Sequence, residues 1–192
     1  MEVVLVRHGS TSWSGRRYCG RSDPPLSRHG RAEAVELAAR LAPSLGAGTR
    51  LLSSPSRRAL ATATTIADAM GAPTMIEIDD RWRETDFGLA EGLRFEELEA
   101  QLPELAASVV AGSVAIDWPG GETALDLATR VADAWRELIA DDRDVVVVSH
   151  AGPLLHAVAL ASGSEADLAR IPPPGTALRF DIRAREPIAD PC

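Results

Sequence analysis

Residues 3–9 read Val-Val-Leu-Val-Arg-His-Gly, and residues 145–152 read Val-Val-Val-Val-Ser-His-Ala-Gly. In each stretch a short apolar run, β-branched except at Leu5, ends close to a histidine that small residues follow. Such runs are typical of strands buried on both faces of a parallel sheet. Because open α/β sheets bind ligands at the carboxyl ends of their strands, we expect His8 and His150 to lie in one crevice. The neighbouring Arg7 favours an anion there, phosphate above all.

Strand and helix patterns alternate along the rest of the chain. Strands are predicted at residues 50–53, 74–78, 144–149 and 176–182, and helices at residues 27–41, 56–70, 95–105, 123–139 and 153–161. Ser27 is predicted to cap the first helix, and Gly71 with Pro73 to close the second. This alternation predicts an α/β fold, a three-layer α/β/α sandwich with a mainly parallel central sheet. No repeat or low-complexity linker interrupts residues 1–192, so we expect a single domain.

The composition narrows the classes of protein further. The net charge of −8 argues against a nucleic-acid partner, because such a surface needs a concentrated basic face. No apolar run approaches transmembrane length and the first residues do not resemble a secretory signal, so we expect no membrane partner and a cytoplasmic location. Cys19 and Cys192 give no disulfide framework. All 20 residues that are lysine or arginine are arginine, so a bound anion must be held by arginine, histidine or backbone N–H groups.

Several blocks of the sequence resemble one family. Residues 4–11, Val-Leu-Val-Arg-His-Gly-Ser-Thr, resemble the signature of the histidine phosphatase superfamily, also called the phosphoglycerate mutase-like family. The following blocks resemble that family in the same order: residues 20–27 with Gly30, residues 53–59 with Thr62 and Ala63, residues 84–88 with Glu91 and Gly92, residues 119–123, and residues 149–152. The resemblance covers residues 3 to about 183. A second Arg-His-Gly, residues 28–30, follows no strand, and we interpret its His29 as a solvated residue at the start of a helix.

The resemblance implies two catalytic residues. His8 would attack the phosphorus atom and form a phosphohistidine. Its attacking nitrogen must be unprotonated, so the other ring nitrogen should donate to a backbone carbonyl such as that of Gly9. Glu84 would act as general acid and then as general base, although Asp86 or Glu91 could take that role. A neighbouring phosphate dianion would favour the protonated carboxyl through like-charge repulsion.

The resemblance also implies the residues that bind substrate. The predicted phosphate ligands are Arg7, Arg58, His150 and Ser14, and the predicted further substrate contacts are Thr11, Gly20 and Arg21. Arg58 is selected over the adjacent Arg57 by the family's second arginine block. Ser14 stands where the family often has an asparagine, and its side chain is shorter. We expect no cofactor and no metal, because arginines and histidines supply the positive charge that a phosphoryl group requires.

The segment between Glu84 and His150 favours a phosphatase over a mutase. Phosphoglycerate mutases of this family are longer there and carry basic residues for the substrate carboxylate. Here the sequence from Phe95 to Thr129 contains acidic residues and no basic one. We expect a cap-like segment at about residues 93–121 that would repel a bisphosphoglycerate. The favoured substrate is a phosphomonoester that is bulky, weakly charged or cationic away from its phosphate.

The specific activity is open at this stage. Residues 150–155, His-Ala-Gly-Pro-Leu-Leu, look most like α-ribazole phosphatases, although many relatives carry arginine at the position of Leu155. The alternatives are a cofactor-dependent phosphoglycerate mutase and a catalytically silent phosphoester-binding module. Trp13 and Tyr18 either line the mouth of the site or pack against the loop. A small phosphomonoester is the expected partner, and homodimer formation is left open.

Overall fold

The strands form one sheet in the computed structural model, which describes residues 1–71, 74–184 and 186–188. The strands are β1 (Glu2–Arg7), β2 (Arg50–Ser53), β3 (Ile76–Ile78), β4 (Val145–Ser149), β5 (Ala177–Asp181) and β6 (Glu186–Ile188). Their order is β3-β2-β4-β1-β5-β6. The pairs from β3 to β1 are parallel, whereas β5 and β6 are antiparallel to their neighbours. Because β1 pairs with β4 and Arg7 lies opposite Ser149, His8 and His150 follow adjacent strands at one level of the sheet.

Helices cover both faces of this sheet. They are α1 (Arg28–Leu41), α2 (Arg57–Met70), α3 (Phe95–Gln101), α4 (Pro103–Val110), α5 (Ala124–Ala140) and α6 (Ala151–Ser162). Side chains alternate along a strand, so Val4 and Val6 pack against α1 and α2, and Val3 and Leu5 pack against α5 and α6. All four residues are at most 1% exposed. The predicted three-layer sandwich with a mainly parallel sheet is confirmed.

The cap-like segment differs from its prediction. A single helix over residues 95–105 is wrong, because α3 ends at Gln101 and α4 begins at Pro103 and continues to Val110. Leu102 between them has φ −137° and ψ 65°, outside the helical region, which a residue preceding proline avoids. Both helices contribute to a small core of their own around Leu98 and Ala106.

Other element boundaries also moved. Helix α6 begins at Ala151 rather than at residue 153, which makes His150 its N-cap residue. The strand predicted at residues 74–78 forms only from Ile76, and Pro73 lies outside the described residues. Strand β6 was not predicted: it is three residues long and contains Pro187, which only an edge position tolerates. The Ser27 cap is confirmed, since its hydroxyl accepts a hydrogen bond from the N–H of Gly30.

The helices of the described segments do not include a membrane span. Within residues 1–71, 74–184 and 186–188, no helix is both long enough and apolar enough to cross a bilayer.

Candidate active site

His8 lies immediately after β1 and is 8% exposed. Its Nδ1 is 2.7 Å from the carbonyl oxygen of Gly9, which confirms the predicted backbone partner. A proton on Nδ1 that donates to this carbonyl leaves the lone pair on Nε2. Burial lowers the pKa of His8 to about 3, and the positive charges of Arg58 and Arg7 act in the same direction. The imidazole is therefore neutral at physiological pH, as a nucleophile must be.

Arg58 is the arginine that contacts His8, the predicted nucleophile. It lies in the first turn of α2 and is 1% exposed, whereas Arg57 is exposed. Its Nε donates to Nε2 of His8 at 3.2 Å. Its Nη1 donates to the carbonyl of Ser22 at 2.8 Å, and its Nη2 to that of Gly20 at 3.1 Å. The loop that precedes α1 therefore fixes the guanidinium beside Nε2 of His8.

Glu91 and Asp86, the alternatives for the general acid, have other partners. The Glu91 carboxylate accepts hydrogen bonds from the backbone N–H groups of Gly20, Arg21 and Ser22 at 3.0–3.2 Å. It thereby closes the loop whose carbonyls hold Arg58. Asp86 lies 3.4 Å from the guanidinium of Arg21, a half-exposed pair, and accepts from a nearby backbone N–H. Gly20 and Arg21, which were predicted to contact substrate, thus bind Glu91 through their backbone N–H groups. A direct contact of either residue with substrate stays a prediction.

Glu84 is the carboxylate that remains, and it is 6% exposed. Its Oε1 accepts hydrogen bonds from the N–H of Gly152, in the first turn of α6, and from that of Thr85, both at 2.9 Å. No hydrogen bond within the described part of the chain uses Oε2. The carboxyl is therefore held at one oxygen, and the other is available to a ligand.

His150 is completely buried, and its ring centroid lies 4.8 Å from that of His8. Its Nε2 is 2.8 Å from the hydroxyl of Ser54, while its buried Nδ1 has no partner among the described residues. Burial lowers the pKa of His150 well below its ordinary value, and the positive charge of Arg58 acts in the same direction. The structure thus favours neutral His150 in the free protein, and protonation of both nitrogens requires a nearby anion.

Arg7 is the last residue of β1 and, like His150, has a buried nitrogen without a hydrogen-bond partner among the described residues. Its Nη1 donates to the carbonyl of Pro172 at 3.2 Å, but its buried Nε has no partner among the residues described. Burial lowers the pKa of Arg7, and Glu84 acts in the opposite direction. Buried nitrogens of Trp82 and His156 also have no partner among the described residues, but Arg7 and His150 are the two at the strand ends beside His8, where an anion would give them one.

Thr11 and Ser14 are bonded to each other. The Ser14 hydroxyl accepts from the N–H of Thr11 at 2.9 Å, and the Thr11 hydroxyl accepts from the N–H of Trp13 at 3.1 Å. Both side chains thus stabilise the turn after His8. Their contacts with substrate stay predictions.

The second Arg-His-Gly begins α1, and its His29 is solvated, as predicted. The His29 side chain is 78% exposed and pairs with Glu33 at 3.0 Å. Its neighbour Gly30 packs so closely on the backbone at Ser10 that a Cβ atom would overlap it.

A cleft of about 210 Å³ opens beside Glu84, between α6 and the cap-like segment. Apolar side chains form most of its lining: Tyr18, Phe87, Val109, Val114, Ile116, Trp118, Leu127, Leu155, Leu168 and Ile171. The rings of Phe87 and Trp118 meet at a centroid distance of 4.6 Å. Tyr18 lines this cleft, whereas Trp13 lines a separate surface pocket.

The acidic residues of the cap do not line this cleft, and their repulsion of a bisphosphoglycerate stays a prediction. Glu84 is the acidic residue of the cleft lining, and none of the carboxylates between Phe95 and Thr129 contributes to it. Glu122, for example, pairs with Arg130. The lining that the described residues give this cleft is therefore mostly apolar and includes no arginine.

Over the described ranges, no cluster of three or more histidine, cysteine, aspartate or glutamate side chains is placed to bind a metal ion.

Sequence reasoning missed residues that support the site. Gly152 holds Glu84, Ser54 contacts His150, and Arg130 donates to the carbonyl of Glu84 at 3.3 Å. Gly152 and Ser54 lie in blocks that resemble the family, but their partners are 68 and 96 residues away, and Arg130 lies in no such block.

The sheet with its strand-end histidines places the protein in the phosphoglycerate mutase-like class. The chain belongs to the histidine phosphatase superfamily (branch 1), whose sequence model matches residues 3–179.

Curated relatives are moderately similar and longer. Bifunctional protein Rv2228c of Mycobacterium tuberculosis is 38% identical over 167 residues, which cover 84% of this chain and 45% of that protein. A probable phosphoglycerate mutase, GpmB, of Salmonella paratyphi C is 38% identical over 132 residues, 68% of this chain and 60% of that protein. The chain thus spans about half the length of the curated relatives it matches.

Two solved structures show the same fold. A mycobacterial glucosyl-3-phosphoglycerate phosphatase has a TM-score of 0.80 and 28% identity, with coverage of 93% of this chain and 90% of that one. The α-ribazole phosphatase from Shigella flexneri has a TM-score of 0.84 over 97% of this chain and 93% of that one. At 22% identity, the second comparison concerns the fold alone.

Proposed function

We propose that this chain is a phosphomonoesterase that hydrolyses a small phosphorylated metabolite through a phosphohistidine on His8. The observation that carries the proposal is the environment of His8: a neutral imidazole lies beside Arg58, Arg7 and His150. A phosphate dianion placed there would satisfy the buried nitrogens that Arg7 and His150 leave unpartnered. Its charge would be matched by two guanidinium groups and by a His150 that becomes protonated.

In the first step, Nε2 of His8 attacks phosphorus in line with the ester oxygen. The Arg58 Nε–H that now bonds Nε2 moves to a phosphate oxygen, which frees the lone pair. The phosphorus–nitrogen bond forms as the bond to the ester oxygen breaks, and protonated Glu84 donates its proton to that oxygen.

In the second step, water replaces the leaving group and hydrolyses the phosphohistidine. Glu84, now ionised, accepts the water proton while the water oxygen attacks phosphorus. Phosphate leaves, and His8 regains its neutral form. The scheme uses the charges of the chain's own residues and invokes no metal ion.

The cleft beside Glu84 favours a phosphatase with an uncharged, aromatic leaving group. An aryl group can pack against Tyr18, Phe87 and Trp118, whereas a phosphoglycerate carboxylate would be buried there without a cation. Our best specific candidate is therefore an α-ribazole 5′-phosphate-type substrate, whose base is aromatic. A cofactor-dependent phosphoglycerate mutase and a silent phosphoester-binding module are the alternatives.

A substrate panel distinguishes these candidates. Phosphate release would be measured for α-ribazole 5′-phosphate, 1-naphthyl phosphate, 3-phosphoglycerate and glucosyl-3-phosphoglycerate, with His8→Ala and the exposed-site control His29→Ala. We expect the aromatic esters to exceed the carboxylates at least ~10-fold in kcat/KM, from one buried ring. His8→Ala should abolish turnover and His29→Ala should not. Conversion of 3-phosphoglycerate to 2-phosphoglycerate in place of phosphate release would support the mutase, and no turnover of any ester would support the binding module.

A further inference from the structure

Arg130 makes an unusually complete set of hydrogen bonds close to Glu84. Its Nε and Nη2 bind the two carboxylate oxygens of Glu122 at 2.5 and 2.8 Å. Its Nη1 donates to the carbonyls of Arg81 and Arg83 at 2.7 and 2.8 Å, and its Nη2 to that of Glu84 at 3.3 Å. The Arg130 and Glu122 side chains are only 17% and 9% exposed. All three nitrogens of the guanidinium therefore donate hydrogen bonds.

Glu122 connects this arrangement to the other side of Glu84. Its backbone N–H donates to the carbonyl of Asp86 at 3.0 Å, and its Oε2 is 3.4 Å from the Asp86 nitrogen. Its carbonyl accepts from the N–H of Trp118 at 3.1 Å. The pair thus joins α5 and the end of the cap-like segment to the chain on both sides of Glu84.

The chain around Glu84 needs such a support. Residues 83–87 belong to no helix or strand, so no regular hydrogen-bond ladder fixes their backbone. The Glu84 carboxyl is anchored through Gly152 and Thr85, while its backbone is anchored through Arg130. A small shift of this backbone would move Oε2 away from the leaving oxygen.

We propose that Arg130, with Glu122 as its counter-ion, is a positioning residue that holds Glu84 for proton transfer. This inference rests on the proposed function, in which Glu84 is the acid and base. The planar fork of the guanidinium matches three carbonyls and a bidentate carboxylate at once. A lysine at this position would keep the charge but present its donors from one point, so it would not replace the fork.

The dependence of kcat/KM on the leaving group tests the proposal. Dinitrophenolate leaves without a proton, whereas phenolate needs an acid, so loss of proton donation slows phenyl phosphate and spares 2,4-dinitrophenyl phosphate. We expect Arg130→Lys and Arg130→Met to lower kcat/KM ~10–100-fold for phenyl phosphate and less than ~5-fold for the dinitrophenyl ester. Glu84→Gln should show the same pattern more strongly.

Arg136 supplies a matched control on the same helix. Its side chain is 68% exposed and pairs with Asp133. The variant Arg136→Met should therefore leave kcat/KM unchanged for both esters. Folding is checked by circular dichroism, with Glu122→Gln as a second way to weaken the pair.

Three results would overturn the proposal for Arg130. They are equal losses on both esters, no loss on either, and loss of the folded signal in every variant of the pair; the first and third would make the pair a structural support only. Failure of the proposed function gives a different result: the wild-type protein releases no phosphate, or Glu84→Gln shows no dependence on the leaving group.

Discussion

The substitution Gly152→Ala perturbs Glu84 from the side of α6. A Cβ atom at position 152 would lie 2.6 Å from Oε1 of Glu84 and even closer to the hydroxyl of Thr85. Real Cβ atoms essentially never come within 3.0 Å of such atoms, so at least one of the two side chains must move. The same movement lengthens the 2.9 Å hydrogen bond between the Gly152 N–H and Glu84.

The size of the effect follows from these contacts. Overpacking of this kind costs about 1–3 kcal/mol. For a chain of this length each kcal/mol lowers Tm by roughly 2–4 °C, so the variant should melt about 2–12 °C lower. General acid catalysis contributes ~10²–10⁴-fold and a displacement of ~1 Å costs ~10²-fold, so we expect kcat/KM for phenyl phosphate to fall about 100-fold.

Steady-state phosphate release and thermal melting measure the two effects on the same preparations. Gly48→Ala is the matched control, because a Cβ atom at position 48 meets no heavy atom within 4 Å. It should leave both Tm and kcat/KM near their wild-type values. A folded Gly152→Ala protein with wild-type kcat/KM would refute the reasoning that the first turn of α6 holds the catalytic carboxyl.

Three further predictions concern the nucleophile, the cleft and the loop. Because burial lowers the pKa of His8 to about 3, its NMR resonances should not titrate between about pH 5 and 8; a midpoint near 6.5 would contradict this. Between about pH 6.5 and 3 the unfolded chain binds a proton at position 8 that the folded chain excludes. The contribution of His8 to the free energy of unfolding should therefore fall as the pH drops through this range, which urea denaturation measures. Leu155→Arg should raise kcat/KM for 3-phosphoglycerate relative to 1-naphthyl phosphate ~10-fold, and an unchanged ratio would show that leaving groups do not enter this cleft. Glu91→Ala frees three backbone N–H groups of the loop that holds Arg58 and should raise KM for aryl phosphates ~10-fold; an unchanged KM would show that the loop holds its shape unaided.

The sequence predicted the centre of the fold because its signals there are local. The runs before His8 and His150 are buried on both faces, and strand pairing alone brings the two residues together. The distinction between the two Arg-His-Gly copies also held, because only one follows a strand. The break before Pro103 follows from the proline, although the apolar pattern of residues 95–105 otherwise fits one helix.

The remainder of the site depends on packing that no local pattern encodes. A run of acidic residues does not show which side chains face the cleft, and no carboxylate between Phe95 and Thr129 lines it. Arg130 lies 46 residues from Glu84, and Glu91 about 70 from the loop it closes. Asp86 and Glu91 could be set apart from Glu84 only after their own partners were visible.

The central claim, that His8 carries the phosphoryl group, is tested most directly by trapping the covalent intermediate. The protein would be mixed with 1-naphthyl phosphate, quenched in alkali, digested and mapped by mass spectrometry. The account predicts a phosphoryl group on the peptide containing His8, stable in base and lost in acid, present in His29→Ala and absent in His8→Ala. An acid-stable label on a serine, or full turnover by His8→Ala, would contradict it.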